Sequence, residues 1–188
     1  LENMRDKIGR YKDRDRYLSV SLDIVDEMNQ IVLEILSLSS VQELAGDKEW
    51  IQLDQVLEQI LDQYKVLAQS RSLTIDNQIP DKAVYMDPAI LKLVLSNVIS
   101  NAVKHSDAGG EIQLRLEEEG THLAVENTSQ EMVETAEMPM TASRQKKEGG
   151  LGLFVVQHLL DHEELAYQFD KTAMGLRFRM ELPKDPQE

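Results

Sequence analysis

Three groups of residues in this 188-residue chain have types and spacings suited to phosphate chemistry. The first is Asn97, Asn101 and Lys104, at i, i+4 and i+7. On a helix these share one face. They offer two carboxamide oxygens as hard donors for Mg²⁺ and an ammonium for phosphate oxygens. A solvated helix face has the same composition, so the trio alone does not define a site. The second is Glu148-Gly149-Gly150-Leu151-Gly152-Leu153, set directly before the apolar run Phe154-Val155-Val156. Glycines let a backbone approach phosphate closely, and a helix N-terminus presents free N–H groups to it. A flexible hinge before a core helix is the plain alternative. The third is Asn127, ending Leu123-Ala124-Val125-Glu126-Asn127. A carboxamide there can accept and donate at once, which suits an adenine edge, although a strand-end Asn is more often a turn residue.

These groups need rigid elements to hold them. Asp87-Pro88 starts a helix, with a capping carboxylate followed by proline at the first helical position. That helix is predicted to run to about His105 and to stop near Asp107-Ala108-Gly109-Gly110, with Leu91, Leu95, Val98 and Ala102 as its core stripe. Glu111 to Glu117 and Leu123 to Asn127 read as a hairpin around Glu119-Gly120. Before them stand a strand at Trp50 to Leu53, a helix at Val56 to Leu67, and strands at Leu73 to Ile75 and Ala83 to Met86. After them, beyond a polar stretch without periodicity, come a helix at Gly152 to Leu160 and strands at Ala166 to Asp170 and Leu176 to Leu182. The mixture predicts an α+β fold, a two-layer α/β sandwich with helices on one face of a sheet.

Residues 1–45 read differently. Ile24, Met28, Ile31, Ile35 and Leu38 alternate four and three apart, a heptad seam, and Gly9 marks an earlier helix stop. This predicts part of an antiparallel helical hairpin, either docked on its own domain or joined in a dimeric bundle. The domain expectation is therefore 1–45 hairpin, 46–49 linker and 50–188 globular domain. No apolar run is long enough to span a membrane and no signal-peptide pattern opens the chain. The absence of cysteine excludes disulfides and thiolate metal sites, and a net charge of −14 argues against nucleic acid as a partner.

In this order and spacing the three groups resemble the nucleotide-binding boxes of the GHKL superfamily, shared by gyrase-type ATPases, MutL and the sensor histidine kinases. Asn97-Val98-Ile99-Ser100-Asn101-Ala102-Val103-Lys104-His105 resembles the histidine-kinase N box, and Gly150-Leu151-Gly152-Leu153 its second glycine box. Gly175-Leu176-Arg177-Phe178-Arg179-Met180-Glu181-Leu182-Pro183 is similar to that domain's final strand. The resemblance covers about Trp50 to Pro183. It implies a Bergerat-type ATP-binding fold, with ATP and Mg²⁺ as cofactors, Asn101 ligating Mg²⁺ beside Asn97, and Lys104 on the phosphates. Asn127 stands where the family's adenine-binding aspartate sits, and Gly149 to Leu153 form the glycine turn. His105 falls where the family often has an aromatic residue near the nucleotide; a helix-end histidine at the C-terminal dipole is the equal alternative. Hydrolysing members carry glutamate at the position of Asn97, and a carboxamide cannot act as a general base. The resemblance thus implies phosphate transfer to a histidine, then to a response-regulator aspartate. It further implies a homodimer through the hairpin and a membrane-anchored bacterial parent with this portion in the cytoplasm. The texture around Arg14-Asp15-Arg16-Tyr17-Leu18 and Asn127 is loosely similar to vancomycin-resistance-type sensor kinases.

The sequence departs from the family at three places. Ser129 and Glu131 replace the spaced glycines of the first glycine box, where positive φ would be costly and an added anion would face polyphosphate. The lid has no clear phenylalanine box: Met138-Pro139-Met140 is the nearest apolar patch, and Arg144, Lys146 and Lys147 are the lid cations. The four histidines are His105, His122, His158 and His162, none in the hairpin, so the phosphoacceptor is expected to lie outside this chain. His162-Glu163 has an acidic neighbour but stands in the wrong module. Two other readings stay open. One is a pseudokinase scaffold that dimerises or binds a regulator without nucleotide. The other is a serine-directed GHKL kinase of the anti-sigma type, which the heptad hairpin disfavours.

Overall fold

The computed structural model describes residues 46–129 and 150–184. The expected hairpin at 1–45, Glu131, the lid candidates and Gly149 lie outside the described residues.

Strand β1 (Glu49–Gln52) passes directly into helix α1 (Leu53–Ser70). Leu53 therefore begins the helix rather than ending the strand. It is fully buried, and its N–H bonds the carbonyl of Lys82. Gln52 caps α1 without a side-chain hydrogen bond, so this boundary has no capping residue to mark it. Strand β2 (Thr74–Asn77) and strand β3 (Ala83–Met86) follow, and β3 pairs antiparallel with β1, Trp50 opposite Tyr85. Glu49 thus belongs to a strand and not to the expected linker.

Helix α2 (Pro88–His105) is the axle of the helical layer. Asp87 caps it as expected: Oδ1 accepts from the N–H groups of Ala89 and Ile90, and Oδ2 from Gly46. The buried side of α2 is wider than one stripe, because Ile90, Val94, Ile99 and Val103 are buried as well as Leu91, Leu95, Val98 and Ala102. Its neighbours explain this, since α2 packs between α1 and helix α3 (Gly150–His162) and also meets the sheet.

Strands β4 (Glu111–Glu117) and β5 (His122–Thr128) form the expected hairpin. Strands β6 (Tyr167–Lys171) and β7 (Gly175–Glu181) close a five-stranded sheet of order β2-β4-β5-β7-β6, in which only β2 and β4 are parallel. Alternation then sorts the side chains. Ile112, Leu114, Leu123, Val125, Phe178 and Met180 join the core under the helices. The other face carries Arg115, Arg177 and Arg179 in ion pairs with Glu126, Asp170 and Glu118. The result is the predicted two-layer sandwich. Among the described residues no helix is long and apolar enough to cross a membrane.

Candidate functional site

Between α2, the start of α3 and the β5–β7 region lies a cavity of about 10 Å³. Three of the expected residues meet in its wall: Asn101 from α2, Asn127 from β5 and Leu153 from the first turn of α3. They are separated by long stretches of chain, and only the fold brings them together. The rest of the wall is apolar, chiefly Val98, Val125, Phe169, Leu176 and Phe178. Aromatic and aliphatic walls with a few placed polar groups are the usual composition of a small-molecule site.

Asn127 is the central polar feature. It is 4% exposed, and its Nδ2 is buried without a hydrogen-bond partner among the described residues. Leaving such a donor unsatisfied costs about 1–3 kcal/mol, a cost that a ligand acceptor would remove. The backbone around Asn127 is held on both sides. Asn127 faces Ile112 on β4 and Leu176 on β7 in the ladder. Thr128 Oγ1 accepts from the N–H of Glu111 at 2.8 Å, and the Thr128 carbonyl accepts from the N–H of Asp107 at 3.0 Å. Gly110 and Gly175 make this close packing possible. A Cβ at Gly175 would stand 2.3 Å from the carbonyl oxygen of Asn127, and one at Gly110 2.0 Å from Thr128 Oγ1.

Ser129, expected to sit badly in place of a glycine, does not. It is buried, its N–H bonds the Met174 carbonyl at 3.0 Å, and it is not among the positive-φ residues. The ladder past Thr128 and Gly175 carries it in an ordinary conformation, so the glycine's freedom is not required there.

The remaining expected residues of α2 are not part of the cavity wall. Asn97 is partly buried, and its Nδ2 donates to the Leu93 carbonyl at 2.8 Å, leaving Oδ1 as its acceptor for a ligand. Lys104 and His105 are exposed in the last turn, outside the cavity wall. That turn is clamped by Arg71, which donates to the carbonyls of Val103, Lys104 and Ser106. Gly150 to Leu153 lie in the first turn of α3, which begins at Gly150 and not at the expected Gly152, so the described part of the expected glycine turn is itself helical. Among the described residues no cluster of three or more His, Cys, Asp or Glu side chains could hold a metal ion. Neutral carboxamides such as Asn97 and Asn101 fit an ion that keeps most of its shell as phosphate oxygens and water.

His162 and Glu163 also find structural places. Glu163 pairs with Lys48 at 2.9 Å and with His162 at 3.5 Å, joining the end of α3 to the stretch before β1.

Residues 86–186, more than half of the chain, match the family of Histidine kinase-, DNA gyrase B-, and HSP90-like ATPases. The chain belongs to this family. Within it, the chain is 33% identical over 191 residues to the sensor histidine protein kinase HK06 of Streptococcus pneumoniae serotype 2 (strain D39 / NCTC 7466), covering 97% of the chain and 43% of HK06. It is 30% identical over 197 residues to the sensor protein VanSB of Enterococcus faecalis (strain ATCC 700802 / V583), covering 97% of the chain and 44% of VanSB. The chain therefore spans less than half the length of these relatives. Among solved structures, histidine kinase ThkA in complex with the response regulator protein TrrA matches with a TM-score of 0.71. That match has 19% identity over all of this chain and 56% of ThkA, and it establishes a shared fold.

Of the residues that the sequence singles out, Asn101, Asn127 and Leu153 line one cavity of this family member. The sequence did not single out Arg71, which holds the last turn of α2, or Gly110 and Gly175, which pack against Thr128 and Asn127. Gly175 was visible only as the start of a strand; Arg71 carried no signal.

Proposed function

We propose that this chain is the Mg·ATP-binding catalytic portion of a sensor histidine kinase. The observation that carries the reading is the convergence of Asn101, Asn127 and Leu153 on one apolar cavity, with the buried Asn127 Nδ2 lacking a partner. Asn127 would read the base edge while Val98, Val125 and Phe178 enclose the ring. Because the cavity is about 10 Å³, roughly one water molecule, the lining side chains must part to admit a purine. Asn101, with Asn97 beside it on α2, would hold Mg²⁺; the ion, when bound, neutralises phosphate charge. Lys104 and His105 at the end of α2, with the glycine turn at Gly149 to Leu153, would meet the phosphates. Asn97 supplies no general base where hydrolases of the family carry glutamate, so the γ-phosphate is retained for transfer. The recipient would be a histidine outside this chain and then an aspartate of a response regulator, in keeping with the regulator bound to ThkA. A homodimer through residues 1–45 and a membrane-anchored parent with this portion in the cytoplasm complete the proposal.

Titration with a fluorescent ATP analogue, with and without Mg²⁺, tests it. Saturable Mg²⁺-dependent binding is expected, and Asn101→Ala should abolish the Mg²⁺-dependent part while leaving the circular dichroism spectrum unchanged. Unchanged affinity in that variant would mean that Asn101 does not hold the ion. No binding at millimolar nucleotide would favour a regulator-binding scaffold, a reading to which the narrow cavity also lends support.

A further inference from the structure

The base pocket presents a carboxamide where a purine edge is read, and the consequence drawn here rests on the nucleotide-binding reading above. Among the described residues, Asn127 and Asn101 are the polar residues of the cavity wall, and no charged side chain lines it. A carboxylate at the place of Asn127 could only accept. It would take a hydrogen from the 6-amino group of adenine and repel the 6-oxo group of guanine or hypoxanthine. A carboxamide has one end of each kind. Turned one way, Asn127 Oδ1 accepts from N6–H of adenine while Nδ2 donates to N1. Turned by half a revolution about its last bond, Nδ2 donates to O6 of an oxopurine and Oδ1 accepts from N1–H.

Among the described residues no hydrogen bond holds the amide nitrogen in one orientation. The backbone, by contrast, is wedged between Gly110 and Gly175 and laddered on both sides, so adaptation falls to the side chain alone. We infer that this pocket does not discriminate 6-amino from 6-oxo purines, and that inosine and guanosine triphosphates bind at the ATP site. Hypoxanthine lacks the 2-amino group of guanine, so ITP tests the edge without added bulk.

The experiment is calorimetric titration of the 188-residue chain with Mg·ATP, Mg·ITP and Mg·GTP. The expected Kd for ITP lies within about tenfold of that for ATP, the size of one bidentate base contact. In Asn127→Asp, ATP binding should persist while the ITP-to-ATP ratio rises by about tenfold or more. A wild-type ratio above that limit, with ATP bound normally, overturns the inference and leaves the nucleotide site standing. An unchanged ratio in folded Asn127→Asp also overturns it, because another group would then be reading the base. Failure of all three nucleotides to bind at millimolar concentration overturns both readings together. The wild-type ratio decides the question even if the variant does not fold.

Discussion

At the residue scale, the site depends on Gly110 and Gly175, which pack against Thr128 and Asn127. Gly175 lies opposite Thr128 in the β5–β7 ladder, and a Cβ there would meet the Asn127 carbonyl oxygen at 2.3 Å and the Ser129 nitrogen at 2.4 Å. Both are backbone atoms of a laddered strand and cannot swing aside. Gly175→Ala should therefore push β5 and β7 apart, at a cost of about 2–3 kcal/mol typical of overpacking. It should also weaken nucleotide binding, because Asn127 moves with the strand. Gly109 provides the contrast: its φ is +78°, yet nothing lies within 4 Å of the position of a Cβ. Gly109→Ala should cost only the conformational term, about 1–2 kcal/mol, and leave nucleotide affinity unchanged. Urea denaturation paired with nucleotide titration separates the two. Equal affinity losses in both variants would show that general destabilisation, and not displacement of Asn127, is responsible.

At the element scale, α2 is pinned at both ends, and the two pins differ in how far they can be read from sequence. Asp87-Pro88 is local: cap, proline and helix are adjacent, and the structure places the cap bonds as expected. The other pin is Arg71, which follows α1 by one residue and lies more than thirty positions from the carbonyls it binds. No periodicity or spacing announces such a contact. The same distinction runs through the fold. The β4–β5 hairpin was legible because its turn is short, whereas the parallel pairing of β2 with β4 joins strands separated by β3 and α2. At the site, Asn101, Asn127 and Leu153 were legible by type and position. Phe169 and Phe178 of the cavity wall were not, because strand order alone brings them there. The Arg71 clamp yields a prediction at this scale. Arg71→Met should lose charge-assisted bonds to carbonyls of the last turn, lowering stability by about 2 kcal/mol. The loss should be concentrated at the end of α2, with faster amide exchange over residues 102–106 and weaker nucleotide binding through Lys104. Exchange that stays unchanged in that turn would show that the clamp does not hold it.

At the scale of the whole molecule, the sheet separates two environments, and its outer face sets the response to acid. Glu126 is 6% exposed there, on the side opposite the cavity. Its carboxylate accepts from the Arg115 guanidinium at 2.8 Å, and Arg115 also pairs with Glu117 at 3.0 Å. Burial alone would push the Glu126 carboxyl up. The Thr172 hydroxyl and the Arg115 guanidinium outweigh burial and hold it below its ordinary value of 4.5. The sign follows by linkage. A carboxyl whose folded pKa is lower than its unfolded one binds fewer protons when folded, so its stabilisation is complete above the unfolded value. It is lost as pH falls from about 4.5 through the folded value. Glu126→Gln should accordingly be less stable at pH 7, by about 1–2 kcal/mol, because Arg115 keeps Glu117 as a partner. The variant should also lose less stability than the parent as pH falls below about 4.5, because the parent's carboxyl must take up its proton there. Thermal unfolding followed across that range would show two curves converging toward acid. Parallel curves would mean that the Glu126–Arg115 pair contributes nothing to the acid limb and that the other carboxylates carry it. Because Glu126 and Asn127 are adjacent on β5 but point to opposite faces, the variant should bind nucleotide like the parent at neutral pH. This makes it a direct check that the charged face of the sheet stabilises the fold without reading the ligand.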